Sequence, residues 1–338
     1  MRYAMLLKPH PNIRYRQSLQ KLALIELACT LEALGMSQAR PRLETLAGEH
    51  FLMFDSEPLE EDTWRTVSRH SAVCFAGEYL EDGALRPISR ACAGKLPDDL
   101  PHVLKYKGKT NADFTYLMLH CAKAASAFAR ETRPLCVLDP MCGKATTLLC
   151  ALCEDCDAVG VDMDGKALKE VEAYLERSLK MHRVKHKRTN GALTLAGGTS
   201  AKWTQYTVAP DAQAMREQPR TLRLIHSDAG KLAGLVPGGS CDLVVCDLPY
   251  GVQHAPREDG GMSSLRRLLD RVLPGCAQAL RSGGAAALAF NLNTLRRRDV
   301  AQALQEAGME PLTAPPYDDF SHWVEQAVER DVVIARKR

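Results

Sequence analysis

The sequence has almost no net charge. Its 338 residues carry 44 Lys and Arg against 41 Asp and Glu, a balance of +3, and on that total alone electrostatic attachment to nucleic acid is not expected. Long apolar runs are also missing. None approaches the roughly 18 residues of a membrane span, and Arg2, Lys8, Arg14 and Arg16 interleave with polar groups where a secretory signal would be apolar. A cytoplasmic chain with no membrane partner is therefore expected. No internal repeat is visible, and no motif points to a particular protein partner or to a homodimer. Cysteine is not scarce, at twelve, but Cys74, Cys136, Cys241 and Cys246 sit inside apolar runs, as free thiols in a reducing compartment do. Cys150, Cys153 and Cys156 form a C-x2-C-x2-C run that lacks a second Cys or His cluster. A packed helix face is expected there rather than a metal site.

What is present is a globular composition, 46% apolar and 25% charged, in a chain long enough for about two domains and a core that needs no covalent staple. Residues 1–92 alternate short apolar runs with helical periodicity: a strand at Tyr3 to Leu7, a helix at Leu19 to Leu34, strands around Leu43 and at Phe51 to Phe54, a helix at Leu59 to Arg69 and a strand at Ala72 to Gly77. That succession predicts a βαββαβ unit of the ferredoxin-like kind. Residues 93–113 lose periodicity and are expected to link it to the rest of the chain. Residues 114–338 open on a long helix from Phe114 and continue with five apolar strands alternating with helices: Leu135 to Asp139, Ala158 to Asp162, Leu222 to His226, Asp242 to Asp247 and Ala285 to Phe290. Such alternation predicts an α/β fold, a doubly wound parallel sheet. The interval 180–220 lacks a clear apolar period and opens on a basic run, so it is expected to be either functional or partly disordered.

In a doubly wound sheet, ligands bind beyond the carboxyl ends of the strands, and four predicted strand ends are acidic or polar. Asp139-Pro140-Met141-Cys142-Gly143-Lys144-Ala145-Thr146 ends a buried strand in a glycine turn that lets a ligand approach the backbone. Asp162-Met163-Asp164 comes next, with Asp162 nineteen residues after Gly143, the spacing at which a carboxylate meets a ribose; equally, Asp162 or Asp164 caps the next helix. Asp228-Ala229 accepts from an adenine amine or caps a helix. The fourth, Asp247-Leu248-Pro249-Tyr250-Gly251, sets a carboxylate, a proline-stiffened turn and an aromatic ring in a row. The ring stacks on a flat heterocycle while Asp247 and a turn carbonyl accept from an exocyclic amine.

These four elements, in this order, resemble a class I S-adenosylmethionine-dependent methyltransferase, and Asp-Leu-Pro-Tyr is similar to the Asp/Asn-Pro-Pro-Tyr motif of enzymes that methylate amino groups of nucleobases. The resemblance implies S-adenosyl-L-methionine as cofactor and a Rossmann-like sheet. It implies that Asp139, Pro140, Met141, Cys142, Gly143 and Thr146 border the methionine part of the cofactor, that Asp162 holds the ribose, that Met163 packs on adenine, and that Asp228 and Ala229 meet the adenine amine. The segment from Tyr106 to Phe114 resembles the motif preceding the first strand, which implies that Thr110 and Asn111 lie near the cofactor carboxylate. His322 to Val324 and Asp331 to Ala335 resemble the terminal antiparallel hairpin. The sequence departs from the pattern twice: Ala145 replaces the second glycine of the turn, at a cost if the position needs positive φ, and Leu248 replaces the first proline of the target motif.

Base amines are poor nucleophiles because their lone pair is delocalised, so the catalytic expectation is positioning by Asp247, Leu248 and Pro249, with a flipped base stacked on Tyr250. An N-terminal accessory unit joined to such a motif resembles the tRNA guanine-N2 methyltransferases that act at guanosine 10, which implies tRNA as partner. Two basic stretches suit phosphates. One contains Arg14 and Arg16, with Arg2, Lys8 and Lys21 nearby and no acid among residues 1–25; the other is Lys180, Arg183, Lys185, Lys187 and Arg188. The second reads equally as a solvated helix end, and Arg296-Arg297-Arg298 reads as an exposed helix start. The near-neutral total is thus an average over a mildly acidic body and local basic patches.

Overall fold

The computed structural model describes residues 1–9, 13–90, 96–103, 111–249 and 261–338. The first strand, β1 (Arg2–Leu7), is an almost unbroken apolar run, because it lies mid-sheet with neighbours on both sides. It is followed by α1 (Ile13–Ala33), β2 (Arg42–Leu46), β3 (Glu49–Asp55), α2 (Glu61–Ser68), β4 (Val73–Tyr79) and the short β5 (Leu85–Pro87). The sheet order is β2-β3-β1-β4-β5, every pair antiparallel. The expected βαββαβ succession is present, and its four strands take the split order of the ferredoxin-like layout; β5 is an addition. Tyr3 stacks on Phe54 at 4.9 Å and on Trp64 at 5.3 Å, while its hydroxyl accepts from the Leu59 amide.

The remainder runs α3 (Leu100–Val103), α4 (Ala112–Ala125), β6 (Cys136–Asp139), α5 (Thr146–Cys153), β7 (Asp157–Asp162), α6 (Gly165–Met181), β8 (Lys185–Thr194), β9 (Ser200–Ala209), α7 (Ala212–Glu217), β10 (Arg220–His226), α8 (Leu232–Leu235), β11 (Cys241–Asp247), α9 (Gly261–Ala279), β12 (Leu280–Asn291), α10 (Arg297–Glu306), β13 (Met309–Pro311), β14 (His322–Glu325) and β15 (Val328–Lys337). One sheet takes all ten strands, in the order β13-β15-β12-β11-β6-β7-β10-β9-β8 with β14 on β15. Its centre, β10-β7-β6-β11-β12, is parallel, and these are the five strands expected from the apolar runs. The fold is an α/β, Rossmann-like doubly wound sheet accompanied by the smaller α+β unit. The first of the five, β6, sits at the middle, with β7 on one side and β11 on the other. The chain reverses its direction of travel across the sheet there, which opens a crevice at the carboxyl ends of β6 and β11.

Of the two expectations for the interval 180–220, partial disorder is not what the structure shows: its larger part is a hairpin, β8 paired antiparallel with β9 from Lys185 opposite Ala209 to Thr194 opposite Ser200, followed by α7. The hairpin extends the sheet beyond β10. On β9, Thr204, Tyr206 and Val208 alternate into the interior. Strand β8 is mostly exposed and is held by its ladder rather than by an apolar face, so it carries little sequence signal. Its lysines also blunt an otherwise open sheet edge.

Helix α1 is buried on two sides. Ala23, Leu27 and Leu31 join the core of the small sheet, whereas Leu22 and Cys29 join Phe114, Leu117 and Met118 of α4 in the core of the large one. Between them Glu26, 1% exposed, accepts from the Ser71 amide and approaches His120 at 2.7 Å. His120 in turn lies 3.5 Å from Glu154, which pairs with Arg69 at 2.7 Å. Burial alone would raise the Glu26 carboxyl, but His70 and His120 bring it down to about 2. Burial alone would lower the His120 imidazole, but Glu154 and Glu26 hold it up at about 9.

The three clustered cysteines are buried. Cys150 and Cys153 lie within α5 with Cys156 just beyond it, and their thiols face the Ala112, Pro97 and Glu154 carbonyls. Among the described residues, no group of His, Cys, Asp and Glu could hold a metal, and no helix is long and apolar enough to cross a membrane.

Candidate active site

At the end of β6, Asp139 is 3% exposed. Burial pushes its carboxyl up to about 7, although the Thr147 hydroxyl, the Met141 amide and the Cys246 thiol all hydrogen-bond it. It thus braces the turn against both α5 and β11. Within the turn, Gly143 has φ 49 and Ala145 has φ 63, so the position that departs from glycine is left-handed. The strain there is of order 1–2 kcal/mol, offset in part by a methyl group that is fully buried. A glycine on the neighbouring strand makes the turn's close seating possible: a Cβ on Gly160 would overlap Leu148 and lie 2.7 Å from the Cys142 sulfur.

Asp162 ties two loops together, accepting from the Gly143 amide at 2.7 Å and from the Asp164 amide at 2.8 Å. Asp164 is the helix cap, accepting from Lys166 and Ala167 at the start of α6. Met163 is 74% exposed, an apolar side chain standing free at the strand end. The ring of His226 meets its carbonyl at 3.1 Å and packs over Gly165. Asp228 caps the 3-10 turn at Ala229–Lys231 and also pairs with Arg271 at 3.1 Å. Asn111 caps α4 through the Asp113 amide. Asp113 pairs with Lys8, whose ammonium also reaches the Ser71 carbonyl.

At the end of β11, Asp247 lies opposite Ala289 of β12, with Arg330 Nη2 3.7 Å from its Oδ2. The Leu248 amide donates to the Ala289 carbonyl at 2.9 Å, one rung beyond the strand, and its side chain is 4% exposed. A proline has no N–H to donate, so the departure from the Pro-Pro pattern exchanges ring stiffness for a ladder hydrogen bond. Pro249 comes next, at the surface. Thr110, Tyr250 and the side chain of Arg14 lie outside the described residues.

The structure brings together the ends of β6, β7, β10 and β11 with Asp139, Gly143, Asp162, Met163, Asp228 and Asp247. It does not bring the basic residues there. In the register from β8 through β9 to β10, His186 aligns with Val208 and Arg220, at the amino ends of the parallel strands with Lys185 one residue beyond, while Ala192 aligns with Lys202 and His226 at the carboxyl ends. Seven residues at about 3.3 Å and five strand spacings at about 4.8 Å put Lys185 more than ~30 Å from Asp247. Lys180, Arg183, Lys185 and Lys187 are exposed, but Arg188 is bound by Glu172 and Glu176. In the N-terminal stretch Arg16 is exposed, Arg2 pairs with Asp55 and Lys21 pairs with Asp319. Arg297 corrects the expected exposed helix start: it clamps Asp331 and the Val332 and Tyr317 carbonyls.

Sequence reasoning missed Arg330, 5% exposed, whose guanidinium lies 4.5 Å over the Phe114 ring. The signal was there. Val328, Arg330, Val332 and Ile334 share one face of β15 by alternation, and all are buried, so a lone cation occupies an apolar face.

Similar solved structures include TrmN from Thermus thermophilus, 16% identical over 99% of this chain and 81% of that one with a TM-score of 0.42. A methyltransferase homolog protein from Pyrococcus horikoshii is 13% identical over 100% and 86%, with a TM-score of 0.40. Magnesium protoporphyrin IX methyltransferase from Synechocystis, with bound SAM, is 14% identical over 71% and 90%, with a TM-score of 0.40. No family model matches the chain, and no curated protein matches it by sequence.

Proposed function

We propose that this protein is a methyltransferase that uses S-adenosyl-L-methionine to methylate an exocyclic amino nitrogen of a nucleobase in RNA, with guanine N2 in tRNA as the target. The observation that carries this reading is the placement of Asp247, Leu248 and Pro249 at the end of β11, beside the glycine turn that ends β6. The crevice fits the cofactor. A Cβ on Gly143 would meet nothing within 4 Å, so the backbone there is open to a ligand, and each Asp162 oxygen retains acceptor capacity beyond its one backbone hydrogen bond. Bound there, the sulfonium cofactor supplies an electrophilic methyl group and keeps the C–S electron pair on departure.

The chain's own residues then position and select. The turn from Asp139 to Thr146 seats the methionine part, with Thr110 and Asn111 toward its carboxylate; Asp162 takes the ribose; Met163 covers the adenine; Asp228 and Ala229 face its amine. Asp247 and the Leu248 carbonyl accept the hydrogens of the target amine, which turns its lone pair out of conjugation and toward the methyl carbon. As the N–C bond forms, the nitrogen gains positive charge and becomes a far stronger acid than a carboxylic acid, so its proton passes to Asp247 and on to water. Pro249 stiffens the turn, and Tyr250 stacks on the flipped base. Residues 1–92 serve as an accessory unit for RNA. Exposed Arg16, Lys180, Arg183, Lys185 and Lys187 meet phosphates away from the crevice, as does Arg14 of the same basic stretch, while Arg188 acts through its glutamate clamp. The setting is cytoplasmic.

Incubation with unmodified tRNA and labelled cofactor, followed by digestion to nucleosides and mass spectrometry, tests the reading. N2-methylguanosine is expected. N6-methyladenosine would move the target to adenine, and cofactor binding without product would make the chain a binding module. Asp247→Ala is expected to abolish turnover while cofactor affinity stays within about tenfold, because Asp247 contacts the target rather than the cofactor.

A further inference from the structure

We propose that the outer face of the β8–β9–β10 edge is a platform for an unpaired strand of RNA, on which a base stacks against Trp203 and Arg223 while Lys185 and Lys187 take the phosphates. The inference rests on the RNA substrate proposed above and goes beyond it, because it adds a base-stacking surface to the lysines.

The hairpin has two unlike faces. On one, Tyr206 and Val208 join Val171 and Leu175 of α6 in the core, and Arg188 stands 6.0 Å over the Tyr206 ring with its charge held by Glu172 and Glu176. The other face sets Thr189, Gln205 and Arg223 side by side across the three strands, with Gly191 and Trp203 in the next row and Lys187 in the row before. Lys185, Lys187 and Thr189 are exposed, and Trp203, Gln205 and Arg223 are half-buried. The crossover from β10 to β11 holds only the short α8, which packs with Leu195, Ala201 and Ile225 and leaves those rows accessible. No acid of β8, β9 or β10 lies on this face. Asp157 of β7 accepts from the Thr221 amide and hydroxyl, and Asp211 and Glu217 beside it in α7 accept from Gln213.

Trp203 is fixed from two sides. A Cβ on Gly191 would lie 2.6 Å from its ring, so the glycine lets the indole lean onto β8. Arg223 stands 4.9 Å from the ring centre, steered by the bond from its Nε to the Gln205 Oε1 at 2.8 Å. That bond engages one of the guanidinium's N–H groups, and among the described residues no carboxylate pairs with Arg223 and no acceptor meets the indole N–H. A preset aromatic and guanidinium on a flat sheet, with lysines alongside, is the chemistry that holds single strands: base faces stack on it whatever their sequence, and the cations track the backbone. A duplex hides its base faces, so the strand is unpaired. The rows from Lys185 to Trp203 span about 20 Å.

The test uses the full chain and fluorescein-labelled oligouridine of about twelve nucleotides, within the ~4–16 that such grooves cover. Anisotropy titrations compare wild type with Trp203→Leu, Thr189→Glu and Lys185→Glu/Lys187→Glu. Trp203→Leu is expected to weaken binding about tenfold or more with no change in salt dependence, since no charge is lost, and to remove most of the tryptophan quenching that the RNA causes in wild type. The lysine pair is expected to flatten the salt dependence instead. Thr189→Glu sets an acid beside Arg223 on the open face without touching the core; it is expected to weaken binding similarly while the melting temperature stays at or above wild type, and it decides the matter if Trp203→Leu folds poorly. Wild-type affinity in either single variant overturns the platform, as does equal affinity for oligouridine and for its duplex with oligoadenosine. Wild type that methylates tRNA while both single variants bind oligouridine normally refutes the platform and leaves the methyltransferase reading. Stacking on Trp203 in a protein that methylates no RNA refutes that reading and leaves the platform.

Discussion

Replacing Leu248 with proline restores the residue common in the motif that this segment resembles, yet it is expected to destabilise this protein. The Leu248 amide donates to the Ala289 carbonyl at 2.9 Å, and Ala289 is fully buried. Proline removes the donor and strands that carbonyl. Leaving a buried carbonyl without its donor costs about 1–3 kcal/mol, the lost hydrogen bond included. The Leu248 side chain is 4% exposed and packed in the core beneath α9, and losing one carbon of it costs roughly 1 kcal/mol. Against this, proline restricts the unfolded chain, which returns about 0.4–1 kcal/mol. The net is a loss of about 2 kcal/mol, or a melting temperature lower by roughly 4 °C in a chain of this size. Thermal melting followed by circular dichroism reads it directly, with Leu248→Ala as the control that keeps the amide. A Leu248→Pro variant melting at or above wild type would refute the idea that the extra rung replaces the missing ring.

Gly160→Ala is expected to cost about 1–3 kcal/mol, because its Cβ would overlap Leu148 and press on Cys142; it is also expected to weaken S-adenosylhomocysteine binding, and calorimetry showing wild-type affinity would detach that turn from the cofactor. The charges between α1 and α4 predict a pH window. His120, up at about 9 when folded against an ordinary 6.5, contributes ~3 kcal/mol that is fully present below pH 6.5 and lost as pH rises through 9. Glu26, down at about 2, contributes stability present above about pH 4.5 and lost as pH falls toward 2. Urea denaturation from pH 3 to 10 checks both arms, and a His120→Gln variant that kept the alkaline loss would discount the first. Lys185→Glu with Lys187→Glu is expected to weaken tRNA binding and flatten its dependence on salt by about 1.5–2 in log–log slope. An unchanged slope would leave those lysines as guards of the β8 edge alone.

Much of the fold was legible because its strands are apolar runs bounded by turn residues. The carboxyl-end loops were legible for a related reason: Asp139, Gly143, Asp162 and Asp247 act through backbone shape and neighbours close in sequence or on the adjacent strand. Where capping stood open as an alternative, the hydrogen bonds show which carboxylates cap. Asp164 caps α6 while Asp162 braces the glycine turn. Asp228 caps and also pairs with Arg271. The β8–β9 hairpin was not legible, since an edge strand needs no apolar face, and its partner β9 buries only alternate side chains. Arg330 announced itself only as a cation on an apolar face, and its partner lies on a strand two places away.

The sequence by itself determined the order of the elements, the five parallel strands and the acidic or glycine-bearing ends that meet at the crevice, because periodicity and turn chemistry are local properties of the chain. Which charges remain available was decided only by tertiary structure. Lys8 meets Asp113, Lys21 meets Asp319 and Arg188 meets Glu172 and Glu176, so single members of runs that hold no acid are paired with acids elsewhere along the chain. An ion pair depends on distance in space, and that distance exists only once the sheets and helices have packed.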